Sequence, residues 1–82
     1  MVTKRVAVDG VTYVARGNQM RGYTVTAPDG TVIGEVHAGW NLIDGWHWKY
    51  VRPGEKYGGT LAFMGGSKTM SAAITALVAV TR

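Results

Sequence analysis

Asp9-Gly10, Asp29-Gly30 and Asp44-Gly45 cut the first half of the chain into short runs of β-branched and aromatic residues. Asp-Gly between such runs is the strongest short-range hairpin signal, because both central positions of the favoured turn must tolerate positive φ. The first pair turns residues 5–8 back onto 11–15, with Val8 opposite Val11 and Val6 opposite Tyr13 on one face, and Ala7, Thr12 and Val14 on the other. Residues 16–22 read as a polar loop. Residues 23–27 alternate aromatic or apolar with threonine, as a half-buried strand does. Pro28-Asp29-Gly30 predicts a type I turn with glycine in the left-handed position, and the chain returns over 31–37, where Gly34 and Gly39 favour a bulge or bend. Residues 46–52 form the next strand, pairing with 40–43 if Asp44-Gly45 is a two-residue turn. A loop over 53–59 and a short last strand over 60–64 complete the sheet.

Gly65-Gly66 then breaks the chain before a helix that Ser67 or Thr69 can cap. Met70, Ala73, Ile74, Leu77 and Val78 fall at i, i+3, i+4, i+7 and i+8, one continuous apolar stripe. The expected fold is therefore α+β: an antiparallel sheet of about five to six short strands packed against one C-terminal helix. It is a single domain over residues 1–82, made of an N-terminal hairpin (1–16), the main strands (23–64) and the helix (67–81).

Composition excludes several classes of function. The chain has no cysteine, so disulfides, thiol catalysis and cysteine-based zinc sites are ruled out. The longest mostly apolar stretch, 72–80, is about half of the ~20 residues a membrane span needs. Lys4 and Arg5 are followed by no long apolar region, so a signal peptide is not expected and a cytoplasmic location is, the host cytoplasm if the chain is phage-encoded. Nine Lys and Arg against five acids give a net charge of +4, scattered rather than clustered, which permits an acidic partner without demanding one. An 82-residue chain buries only ~60–65% of its unfolded surface, so a partner subunit would help it.

Catalytic groups are sparse. The three aspartates are used by turns, leaving Glu35 and Glu55. Glu35 and His37 share a strand face, and His47 could sit across from them, but the spacing matches no known ligand set and no metal is expected. Ser67 and Ser71 belong to no nucleophile elbow. The glycines form no dinucleotide or phosphate-binding motif: Gly66-Ser67-Lys68-Thr69 lacks the upstream glycine that a phosphate loop requires. Neither an enzyme nor a cofactor is expected.

Trp40, Trp46, Trp48 and Tyr50 lie close together with Lys49, Arg52 and Lys56 among them. Aromatics interleaved with cations can stack bases while the charges hold phosphates, or can anchor a protein partner. Alternation alone equally makes Trp46 and Trp48 core residues beneath the helix. Trp40, beside Gly39, is then the exposed ring, and Trp40, Lys49, Arg52 and Lys56 are the candidate partner-binding residues. On the helix, Ala72, Thr75, Ala76 and Ala79 are small and uncharged. Either the helix is merely Ala-rich, or this face packs on a second copy.

The hairpin Asp29-Gly30-Thr31-Val32-Ile33-Gly34-Glu35-Val36 and the helix Ala73-Ile74-Thr75-Ala76-Leu77-Val78 resemble motifs that recur in small accessory proteins of actinobacteriophages and their hosts. The order of elements from Tyr23 to Arg82 also resembles the DNA-binding domains of phage integrase arms, in which a three-stranded sheet packs on a helix. This chain departs from those by its N-terminal hairpin and its few sheet arginines. Most proteins of the first kind have no assigned activity, and the shared motifs are structural. The lack of catalytic groups, the small core, the aromatic cluster and the uncharged helix face lead to the expectation of a non-enzymatic, phage-type accessory protein that binds a host protein and self-associates. The second resemblance implies nucleic-acid binding by a basic, aromatic sheet face.

Overall fold

Residues 2–42, 45–54 and 67–81 are described by the computed structural model. Among these residues five strands, β1 (Val2–Val8), β2 (Val11–Asn18), β3 (Gly22–Thr26), β4 (Val32–Asn41) and β5 (Gly45–Val51), pair in sequence order into one curled antiparallel sheet, and a helix, α1 (Met70–Thr81), packs across it. The fold is α+β, as the turn pattern predicts. The sixth strand expected over 60–64 lies outside the described residues. Among the described residues, no helix is long and apolar enough to cross a membrane.

The first two Asp-Gly turns form as expected. Asp9 and Gly10 both have positive φ (52° and 80°), and Val8 faces Val11 and Val6 faces Tyr13. At the second turn, Gly30 has φ 90° and donates to the Ala27 carbonyl at 2.9 Å, while Ala27 donates to the Thr31 carbonyl at 2.8 Å. The Thr31 amide donates to Asp29 Oδ1 at 2.9 Å, which holds the Asp29 carboxyl below the usual carboxylate range. The third pair behaves differently. Gly45 is already the first residue of β5 and pairs with Asn41, so Asp44-Gly45 is not a two-residue turn. The 16–22 loop is also shorter than expected: β2 continues to Asn18, which pairs with Gly22 and accepts the Arg21 amide at its side chain.

The strand register divides the sheet into two faces. On one lie Val6, Val8, Tyr13, Ala15, Tyr23, Val25, Val36, Trp48 and Tyr50, and α1 covers this face with Ala73, Ile74, Leu77 and Val78, the stripe the periodicity identifies. The pairing shifts between Val25 and Thr26: Val25 faces Gly34, but Thr26 faces Val32. The extra residue, Ile33, packs against the core and Gly34 lies against Leu77, so the bulge turns both toward the helix side and adds local twist. The chain enters the helix through Ser67, which exchanges two backbone hydrogen bonds with Trp48 (2.6 and 2.8 Å) at the outer edge of β5. Of the two candidate caps it is Thr69 that acts, its Oγ1 accepting the Ala72 amide at 3.1 Å.

Candidate surface site on the β4–β5 hairpin

At the end of the β4–β5 hairpin Trp40 faces Trp46 directly across the strands. Trp40 is 59% exposed, Trp46 66%, and Leu42 just beyond them 90%. The reason is reach. A 12-residue helix is ~18 Å long, whereas the ten residues of β4 extend over ~33 Å. The first helical residue, Met70, packs on the core beside the half-buried Trp48, and Trp46 lies two positions further out along β5, past the start of the helix. The expectation that Trp46 is a core residue is therefore corrected: it shares the face of Trp48 but not its cover.

Of the interleaved cations, Lys49 and Arg52 do not join these rings. Lys49 is on the opposite face, where it faces His37 across the strands, and is only 5% exposed. It is thus not presented to a partner, contrary to its choice as a binding residue. Arg52 is exposed beyond the far end of β5, six residues from Trp46, or ~20 Å along an extended chain. Lys56 lies outside the described residues, as does Glu55.

The opposite face also carries the acid and histidines singled out as conceivable ligands. Glu35 Oε1 and His37 Nε2 are hydrogen-bonded at 2.8 Å. The buried His47 is diagonal to His37 and turns Nδ1 to the Gly45 carbonyl at 3.1 Å. Among the described residues no three His, Asp or Glu side chains converge as a metal site would require.

On the outer side of α1, Ala72, Thr75 and Ala79 are exposed and Ala76 is half-buried, as the stripe implies. Thr75 donates its hydroxyl to the Ser71 carbonyl at 2.9 Å, which leaves its methyl group outward. Val80, 44% exposed, extends the same uncharged surface and was not singled out by the stripe. Leu42 and Trp46 are the other surface residues that sequence reasoning missed. The available signal was their position beside the third Asp-Gly pair, at the end of a hairpin longer than the helix beneath which it was expected to lie. No known protein family, curated protein or solved structure matches the chain.

Proposed function

We propose that this chain is a non-enzymatic binding protein that grips a protein partner with Trp40, Leu42 and Trp46 and self-associates through the outer face of its helix. The observation that carries the reading is the cross-strand tryptophan pair left open to water at the hairpin end. Covering the exposed part of one such ring removes on the order of 100 Å² of apolar surface from water, roughly 3 kcal/mol. Two rings and a leucine make a hot-spot patch of the kind that anchors protein interfaces. The separation of these rings from Lys49 and Arg52 favours a protein over nucleic acid, whose phosphates need cations beside the stacked bases. A non-catalytic role is supported by the sequence, which has no cysteine and no nucleophile or phosphate-binding motif.

The test is affinity capture from the native host with the unmodified chain and with a W40A/W46A variant, each with and without nuclease. A protein retained by the unmodified chain after nuclease treatment and lost with the variant is the expected result. A partner that disappears with nuclease, or that the variant retains in full, overturns the reading.

A further inference from the structure

The curl of the sheet leaves a cleft of about 430 Å³ between the edge strand β1 and the N-terminal end of α1. That volume falls within the ~300–1,000 Å³ of small-molecule sites. Its floor holds two rings: Tyr23, buried, and Trp48, half-buried, lie with centroids 5.8 Å apart and planes tilted by 57°. Lys4 and Arg5 line its rim. These neighbours alternate across β1, and both reach the cleft because it lies at the edge of the sheet. Gln19 and Ser71 supply further polar groups, and among the described residues no carboxylate lines the cleft. Ser71 belongs to the first turn of a 12-residue helix, whose N-terminal end carries ~+0.5 of an elementary charge.

The aromatic floor and the two cations on the rim are independent observations, and they select one chemistry together. A neutral apolar ligand would leave the cations without a partner. An inorganic anion would leave the rings unused. We propose that the cleft binds a small planar aromatic anion, with its ring against Trp48 and its carboxylate or phosphate between Lys4, Arg5 and the start of α1. This site is separate from the hairpin end, since Trp46 and Trp40 do not line it, and it stands or falls independently of the protein partner.

The experiment is an amide NMR titration of the full chain with three anions (2-naphthoate, indole-3-acetate and AMP) and their neutral counterparts (2-naphthamide, indole-3-acetamide and adenosine). The AMP arm distinguishes phosphate from carboxylate. At least one anion is expected to bind with Kd below ~1 mM, at least about tenfold tighter than its neutral counterpart, with shifts centred on Val6, the Trp48 indole and Ser71. Because Trp48→Ala removes packing as well as a binding surface, the decisive variant is K4Q/R5Q, both positions being exposed. It should weaken binding about tenfold or more while leaving the urea midpoint unchanged. The proposal is overturned if no anion saturates below ~10 mM, if the neutral compounds bind equally well, or if the shifts centre on Trp40 and Trp46.

Discussion

An alanine at Gly34 would place its Cβ 2.8 Å from Leu77 Cδ1 and against the Val51 carbonyl, at a φ of +149° that side chains rarely adopt. Gly34 therefore does two things: it permits the backbone of the β3–β4 bulge, and it lets α1 settle directly onto β4. Gly10 separates these two contributions, since at φ +80° an added Cβ there meets nothing within 4 Å. Gly10→Ala should cost only the backbone strain, about 1–2 kcal/mol. Gly34→Ala should add the overpacking of Leu77, for a total of about 2–5 kcal/mol. A chain of this size has only ~4–12 kcal/mol of stability to lose, so the difference will be plain in urea melts as a much lower midpoint for Gly34→Ala. Equal midpoints for the two variants would mean that the helix does not depend on the missing side chain at Gly34.

The β4–β5 hairpin joins a covered end to an uncovered one, and its tryptophans report the boundary. Trp48 packs against the core cluster and the Tyr23 ring, so Trp48→Ala should destabilise by about 3 kcal/mol. Trp46, two residues away on the same face and 66% exposed, loses little more than a cross-strand neighbour when truncated, about 0.2–1 kcal/mol. Chemical denaturation of the two variants side by side checks this, and a loss at Trp46 as large as at Trp48 would place Trp46 in the core after all. The same pair shows how far the sequence is legible. Alternation along β5 correctly puts Trp46, Trp48 and Tyr50 on one face and His47, Lys49 and Val51 on the other. Local chemistry also places the turns at Gly10 and Gly30 and the buried stripe of α1, because each depends on residues a few positions apart. What alternation does not tell is which stretch of a face is covered. Trp46 is open, while His47 and Lys49 are each 5% exposed. Coverage depends on helix length and on contacts distant in the chain, and neither leaves a periodic trace.

At the scale of the whole molecule, the limiting quantity is the area that 82 residues can bury, ~60–65% of the unfolded surface. The helix contributes one face, with Ala73, Ile74, Leu77 and Val78 buried, and it has no acidic residue in its first turn and no basic residue in its last. Its outer positions Ala72, Thr75, Ala79 and Val80 are exposed yet uncharged. Lys and Glu are nearly as good helix formers as Ala and would keep a monomer more soluble, so the choice of small apolar residues makes sense if another helix approaches. Small side chains at spacings of three and four let two axes come within ~8 Å, and a two-fold arrangement uses the one patch twice. Ala72 and Ala79 are the positions to change, because both are exposed and a glutamate at either leaves the sheet-facing stripe untouched. The unmodified chain should sediment as a dimer or larger assembly at high micromolar concentration, and an A72E/A79E variant as a monomer with an unchanged circular dichroism spectrum. Because the spectrum is read alongside the mass, loss of assembly through unfolding is distinguished from loss of the interface. An unmodified chain that sediments at its monomer mass of 8.8 kDa would leave the outer face of α1 as solvent-facing alanine, and the proposed protein binding would then rest on the tryptophan hairpin alone.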